Sequence, residues 1–341
     1  MTIHVPAQGN EPIPFPPRGP LLRAERLERA FKGRGLFGGA PVLALRGVDF
    51  VLGRGEAVGV VGESGCGKST LARVLLHLTP PSAGRVLFDG KDLAKLPARE
   101  LRALRRRMQL VFQDPFASLD PRRTIGDQIV DGILIHGLAS AEEAKEKVAG
   151  LLAQVGLDPA HGGRLPHEFS GGQRQRIAIA RALSTSPDVL VADEPVSALD
   201  VSVQAQVVNL LKDLRSRLGL GLIFISHDLH VVRHLCDRVV VMYLGRVVEE
   251  ASAADLFANP KHPYTQALLA ATPSMHAPAG RRPTLTGEMP SPANPPSGCA
   301  FRTRCPRALP SCAEEVPPLV SIGRGRAVAC PPALTEEVSH A

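Results

Sequence analysis

Long hydrophobic runs are absent from this sequence of 341 residues. No segment approaches the roughly 18 to 20 consecutive apolar residues that a membrane-spanning helix needs, so we expect any attachment to a membrane to depend on partner proteins. Residues 1–20 are rich in Pro and Gly and lack the apolar core of a secretory signal peptide. We therefore expect the chain to remain in the cytoplasm.

Neither a concentrated basic tract nor a cysteine-dense framework is present. The formal net charge is +7, but it is spread along the chain and does not indicate nucleic-acid binding; anionic phosphates or a membrane surface would satisfy the same bias. Six cysteines in a reducing compartment argue against disulfides and favour free thiols or metal ligands. The content of 44% hydrophobic and 21% charged residues is typical of a globular protein with a buried core.

Short apolar segments alternate with turns along most of the chain. Five of these segments are predicted strands, at residues 44–52, 56–61, 189–192, 222–225 and 239–243. The last three are typical of buried parallel strands in a two-sided α/β sheet. Over residues 124–156 apolar side chains recur instead at helical spacing, which predicts an inserted helical subdomain.

A glycine-rich segment after the second predicted strand fits the Walker A pattern of phosphate-binding loops. It consists of Gly62, Glu63, Ser64, Gly65, Cys66, Gly67, Lys68, Ser69 and Thr70. The glycines let backbone amides point at phosphates, and the helix that begins near Lys68 adds a positive dipole. We expect Lys68 to contact the β- and γ-phosphates of a nucleotide and Ser69 to ligate Mg²⁺. The same dipole is expected to lower the pKa of Cys66 and make it reactive, without a catalytic role.

Two adjacent carboxylates, Asp193 and Glu194, follow the strand predicted at residues 189–192. Taken alone, such a pair is more often a helix N-cap than a catalytic pair. Downstream of a phosphate loop, the first carboxylate can hold Mg²⁺ through its water shell while the second orients the attacking water.

The segment Ser170, Gly171, Gly172 and Gln173 precedes a predicted helix at residues 174–183, and here the chain resembles the ABC ATPase family. The family usually has Leu before the serine, where this chain has Phe169. The resemblance implies that Ser170 and Gly172 donate hydrogen bonds to the γ-phosphate of ATP held by an opposite subunit, so that the site is complete only in a dimer.

Other motifs match the family in order, and the resemblance implies their roles. Gln113 resembles the Q-loop glutamine that reaches Mg²⁺ and the attacking water. Asp200 ends the segment 197–200, which resembles the D-loop at the dimer seam, and His227 resembles the switch histidine at the γ-phosphate. Glu194 is the expected general base. Phe31 takes the place of the aromatic that stacks on adenine, although Phe37 is close by and either ring could pack in a core.

The fold implied is an α/β P-loop NTPase of ABC type with a RecA-like parallel-sheet core, an antiparallel β subdomain and an inserted helical subdomain. We expect a flexible leader at residues 1–20, a nucleotide-binding domain at 21–255 with its helical subdomain at about 114–187, and a C-terminal extension at 256–341. Seven prolines at residues 273–296 favour a linker or extended segment within that extension.

Residues 245–250, 259–269 and 290–299 resemble the C-terminal extension of ATP-binding subunits in oligopeptide, dipeptide and nickel importers, and residues 193–210 are closest to the peptide-importer subunit that pairs with a different ATPase. This resemblance implies a second ATPase subunit, two permeases, a solute-binding protein outside the membrane, and a peripheral position on its cytoplasmic face, with no nucleic acid. Nickel or another small solute remains an alternative cargo. A soluble ABC ATPase acting on DNA or ribosomes is disfavoured, because one ATPase unit is present and about 130 residues between Gly62 and Asp193 leave no room for a coiled coil.

Four of the six cysteines lie near the C-terminus, at Cys299, Cys305, Cys312 and Cys330, with five, six and seventeen residues between them. Four thiolates in a loop-rich segment suit a metal site. Structural zinc sites usually have closer cysteine pairs, so the spacing favours an iron–sulfur cluster such as [4Fe-4S]. The alternative is four ordinary buried thiols. Cys236, in an apolar stretch, is expected in the core.

Overall fold

A computed structural model describes residues 19–33, 39–271, 287–323 and 325–333. Three expectations fall wholly or largely on other residues: the leader at 1–20, the aromatic alternative at Phe37 and the first part of the Pro-rich segment at 273–296. They stay predictions.

The described residues form strands and α-helices joined by short loops and 3₁₀ turns. The strands are β1 (Leu22–Gly33), β2 (Gly39–Leu52), β3 (Ala57–Val61), β4 (Ala83–Phe88), β5 (Lys91–Asp92), β6 (Met108–Val111), β7 (Val189–Asp193), β8 (Gly221–Ile225), β9 (Arg238–Tyr243), β10 (Arg246–Ser252), β11 (Val320–Ser321) and β12 (Ala327–Val328). The helices are α1 (Lys68–Leu75), α2 (Ala98–Arg105), α3 (Pro115–Ser118), α4 (Ile125–Ile135), α5 (Ala141–Gln154), α6 (Gly171–Leu183), α7 (Val201–Leu218), α8 (Leu229–Leu235), α9 (Ala253–Ala258) and α10 (Pro263–Ala271).

Two sheets organise these elements. An eight-stranded sheet has the order β11-β12-β10-β9-β3-β8-β7-β6, and the run from β9 to β6 is parallel. A four-stranded antiparallel sheet has the order β2-β1-β4-β5. Strands β3, β7 and β8 are buried throughout, as strands covered on both faces must be. The predicted α/β fold, with a parallel-sheet core and a separate antiparallel sheet, is confirmed.

Helices α3 to α6 lie in the chain between β6 and β7, which are hydrogen-bonded neighbours in the sheet. The helical spacing predicted at residues 124–156 is confirmed, but it divides into α4 and α5. Thr124 caps α4 by accepting from the Asp127 amide, and α5 begins with a capping box of Ser140 and Glu143. Their buried faces, including Ile129 and Leu152, join the larger core. No helix within the described ranges is long and apolar enough to cross a membrane.

Four of the parallel strands end at one edge of the sheet, and the loops that carry the predicted site residues begin there. The phosphate loop follows β3, Gln113 follows β6, Glu194 follows β7 and His227 follows β8. Because the carboxyl ends of parallel strands lie at the same edge, the topology brings these four loops together.

The C-terminal extension is built into the main sheet. Strand β12 pairs antiparallel with β10, and β11 pairs with β12. The buried carboxylate of Glu249 in β10 accepts hydrogen bonds from the amides of Lys261 and His262, both at 2.8 Å, and Arg326 lies 3.6 Å from it. This carboxylate therefore fixes the start of the extension against the core.

The only two tyrosines of the chain meet at the same junction. Tyr243 at the end of β9 and Tyr264 in α10 have ring centroids 4.7 Å apart, and each ring is 5.3 Å from Phe301. All three side chains are fully buried. Aromatic burial of this kind contributes strongly to packing, so core and extension share one hydrophobic interior here.

We expect Glu249→Ala to lower the free energy of unfolding by about 2–4 kcal/mol, because the buried amide of His262 and the partly buried amide of Lys261 lose their acceptor. Thermal or urea unfolding of the full-length chain measures the change, with Glu146→Ala on the exposed face of α5 as the matched control. A Glu249→Ala variant as stable as this control would show that the carboxylate does not anchor the extension.

Candidate nucleotide-binding and hydrolytic site

The phosphate loop joins β3 to α1 through a backbone that only glycine fits at two points. Gly62 has φ +150°, and a Cβ there would lie 2.2 Å from the Met242 carbonyl oxygen. Gly67 has φ +109°, and a Cβ there would lie 2.4 Å from the Ala44 carbonyl oxygen. The loop is thus pressed between β9 and β2. Gly67 is the N-cap of α1 and leaves the first amides of that helix available to an anion.

Lys68 and Ser69 lie where the sequence predicted them, at the start of α1. The buried Lys68 ammonium donates to the carbonyl oxygens of Gly62 at 2.7 Å and Glu63 at 3.0 Å. The Ser69 hydroxyl donates to the Asp193 carboxylate at 2.9 Å. Burial raises the pKa of Asp193. A serine hydroxyl and a carboxylate in contact are the oxygen ligands that Mg²⁺ prefers.

Glu194 is the centre of a second group of side chains. The Gln113 side-chain amide donates to Glu194 Oε2 at 3.2 Å, and His227 Nδ1 lies 3.5 Å from the same oxygen. Glu194 has φ +47°, in the left-handed region that non-glycine residues rarely adopt, and its amide donates to the Ile225 carbonyl at 3.0 Å. Such backbone strain is concentrated at functional sites. The structure therefore brings together Gln113, Glu194 and His227.

The signature segment lies at the N-terminus of α6. Ser170 Oγ accepts from the Gln173 amide, and the Gln173 side chain accepts from the Ser170 amide, so the helix begins at Gly171 and not at the predicted residue 174. A Cβ on Gly172 would lie 2.2 Å from Val203 in α7. The segment is thus packed against α7, whose exposed N-cap is Asp200. Phe169 is buried and lies edge-on to His161. A buried position of this kind accommodates an apolar side chain, so Phe can stand where the family usually has Leu.

The remaining residues predicted to contact nucleotide lie at the tip of the phosphate loop, in α1 and in β1. Ser64 and Gly65 are exposed at its tip, and Thr70 is partly buried in α1. Phe31 in β1 is 39% exposed, and the Arg29 guanidinium lies 4.7 Å from its ring centroid. The ring is thus accessible from solvent while a cation covers part of it.

The expected reactivity of Cys66 is wrong. Its side chain is almost fully buried, and burial raises the pKa of the thiol more than the neighbouring Lys68 ammonium lowers it. The prediction considered the helix dipole and neglected desolvation, which disfavours a thiolate. Cys236 is buried, as predicted.

The four cysteines of the extension are free thiols, with Cys299 and Cys305 partly buried and Cys312 and Cys330 buried. Burial, with smaller contributions from Cys305 and Cys299, raises the pKa of Cys330 to about 11. Among the residues that the structure describes, no group of three or more His, Cys, Asp or Glu side chains is arranged to hold a metal ion. The geometry therefore does not support the predicted iron–sulfur cluster, and the raised pKa values of Cys299, Cys305 and Cys330 agree with partly or fully buried thiols.

Sequence reasoning missed what the extension does beside the phosphate loop. Arg304 forms an ion pair with Glu63 at 2.6 Å, and the Tyr264 hydroxyl accepts from the Glu63 amide at 2.8 Å. One signal was available: a glutamate in a loop that binds anions needs a cation nearby. Its partner, far along the chain, could not be named from the sequence.

The fold and this site define an ATP-binding cassette, the ATPase unit of ABC transporters. The ABC transporter family model matches residues 45–197, and the model of the oligopeptide/dipeptide transporter C-terminal region matches residues 248–312. The chain belongs to the oligopeptide/dipeptide importer family of ABC transporter ATP-binding proteins. Membership implies ATP and Mg²⁺ as the ligands of this site.

Individual relatives are similar in sequence to this chain over most of its length. The di/tripeptide transport ATP-binding protein DppF of Pseudomonas aeruginosa is 52% identical over 91% of this chain and 97% of its own length. The oligopeptide transport ATP-binding protein AppF of Bacillus subtilis is 52% identical over 85% and 89%. A solved ATP-binding cassette, dimeric in a post-hydrolysis state with ADP and Pi, superposes with a TM-score of 0.61 at 29% identity, covering 68% of this chain and 98% of that one.

We expect Cys66 to react slowly with a thiol reagent near neutral pH even without nucleotide, and to react faster only as the pH rises beyond the ordinary thiol range, since its pKa is raised. Thiol titration of the native chain should count the same fast-reacting groups in wild type and Cys66→Ser. In denaturant the two should differ by one thiol. A fast native thiol that disappears in Cys66→Ser would contradict this expectation.

Proposed function

We propose that the chain is the ATP-binding and ATP-hydrolysing subunit of an ABC importer that energises uptake of dipeptides and oligopeptides. The observation that carries this proposal is the combination, in one chain, of a carboxylate held by Gln113 and His227 beside a phosphate loop with a peptide-importer C-terminal region. The importer relatives named above, with peptide cargoes in their names, support it.

The chemistry follows from the side chains at the sheet edge. Lys68 exchanges its two backbone carbonyl acceptors for the β- and γ-phosphate oxygens when ATP enters. Ser69 and Asp193, with Gln113, are the groups that would hold Mg²⁺, which offsets negative charge on the phosphates. Glu194 takes the proton of the attacking water as general base, and His227 contacts the γ-phosphate. Gln113 and His227 orient the Glu194 carboxylate for this role.

The phosphate loop supplies half of each ATP site. Ser170 and the amides of Gly171 and Gly172 begin a helix, so they offer a second anion-binding end to the γ-phosphate of ATP held by another ATPase subunit. Asp200 lies beside the signature segment, at the seam between the subunits. The second subunit is a different ATPase, so the pair is a heterodimer.

ATP closes the two subunits, and the helices α3 to α6 transmit this closure to two permeases. The subunit is peripheral on the cytoplasmic face of the membrane, and a solute-binding protein delivers peptide from outside. The exposed part of the Phe31 ring stacks on adenine. The domain limits are 21–255 for the nucleotide-binding domain and 256–341 for the extension.

We expect Glu194→Gln to bind ATP but to hydrolyse it at least about 100-fold more slowly, because the general base is lost. Cells that depend on this subunit should likewise lose uptake of a labelled dipeptide. Glu100→Gln on the exposed face of α2 is the matched control and should retain both activities.

Wild-type hydrolysis by Glu194→Gln would refute the assignment of the base. Dipeptide uptake that is unchanged in cells without the subunit, with loss of nickel uptake instead, would assign the transporter to the alternative cargo.

A further inference from the structure

Glu63 is the one acidic residue of the phosphate loop, and the C-terminal extension holds its carboxylate. Arg304 Nη1 and Nη2 donate to the two carboxylate oxygens of Glu63 at 2.6 and 3.0 Å. The Arg304 side chain is only 5% exposed and that of Glu63 24%. A two-pronged pair shielded from water is stronger and more directional than an ion pair on the open surface.

The backbone of Glu63 is held as well. Its amide donates to the Tyr264 hydroxyl at 2.8 Å, and its carbonyl oxygen accepts from Lys68 at 3.0 Å. Arg304 itself donates to the Tyr243 hydroxyl at 3.4 Å. At the tip of the loop, a Cβ on Gly65 would lie 3.4 Å from the methyl group of Met289, in the same extension. The extension therefore contacts the loop through both side chain and backbone.

The charge of Glu63 makes these contacts matter for ligand binding. A carboxylate in a loop that receives a polyphosphate repels it, and the repulsion is strong where water is partly excluded. The Arg304 guanidinium cancels this charge. It also fixes the residue whose carbonyl oxygen holds Lys68, the side chain expected at the phosphates.

We propose that Arg304 is a positioning residue of the nucleotide site, through which the C-terminal extension sets the affinity of the phosphate loop for ATP. The inference rests on the proposed function, in which that loop binds ATP. By linkage, whatever displaces the segment around Arg304 weakens ATP binding, and ATP in turn stabilises that segment.

The test is equilibrium binding of MgATP to the full-length chain. We expect Arg304→Ala to raise the Kd about tenfold or more, and Arg304→Gln, which keeps hydrogen-bond donors without the charge, to raise it similarly. Arg302→Ala is the matched control, since Arg302 lies in the same loop and donates to the Ser297 carbonyl at 2.9 Å. It should leave the Kd within about twofold of wild type.

The double variant Arg304→Ala with Glu63→Gln separates charge from folding. Removing the unpaired carboxylate should recover most of the affinity lost in Arg304→Ala, a result that a merely structural role of Arg304 would not give. Wild-type affinity in Arg304→Gln, or a double variant as weak as Arg304→Ala, would overturn the proposal. Should Arg304→Ala not fold, Arg304→Gln and its double variant with Glu63→Gln decide in the same way. Failure of the wild-type chain to bind ATP would refute the proposed function instead.

Discussion

The nucleotide site depends on the tightly packed backbone of the phosphate loop, which leaves no space for a side chain at Gly62 or Gly67. A Cβ on Gly62 would collide with the carbonyl oxygen of Met242, and a Cβ on Gly67 would collide with that of Ala44. Two strands from different sheets thus clamp the loop and fix its backbone before any ligand arrives. A backbone fixed in advance needs no rearrangement on binding, which favours both affinity and catalysis.

The rest of the site follows from strand topology. Strands β8, β7 and β6 lie in that order on one side of β3, and the loop after each of them contributes a group. The groups converge because these parallel strands end at one edge. The signature segment is placed differently, since it packs against α7 and begins with the exposed Ser170. Under the proposed function, the phosphate loop and the signature segment are two half-sites, which two subunits complete for each other.

Much of the site could be predicted from the sequence because its chemistry is local. The phosphate loop, Asp193 with Glu194, and Ser170 with Gln173 are contiguous motifs whose spacing implies their geometry. The extension was harder. Strands β11 and β12 have two residues each, too few for an alternating pattern to be visible.

Contacts between distant residues could not be predicted in the same way. The partner of Glu63 is 241 positions away, and only folding brings Arg304 to it. The error at Cys66 has another physical cause: the packing of the loop buries this sulfur, and desolvation raises the pKa of the thiol more than the neighbouring Lys68 ammonium lowers it. Burial depends on tertiary structure, which a local motif does not contain.

The proposed pairing of two ATPase subunits around ATP is tested most directly by the mass of the purified subunits in solution. Light scattering of full-length Glu194→Gln protein mixed with the proposed second ATPase subunit should give separate monomers with MgADP. With MgATP it should give a species of the summed mass. Equal masses with ATP and ADP, at concentrations where ATP is shown to be bound, would contradict a site that is completed by a second subunit.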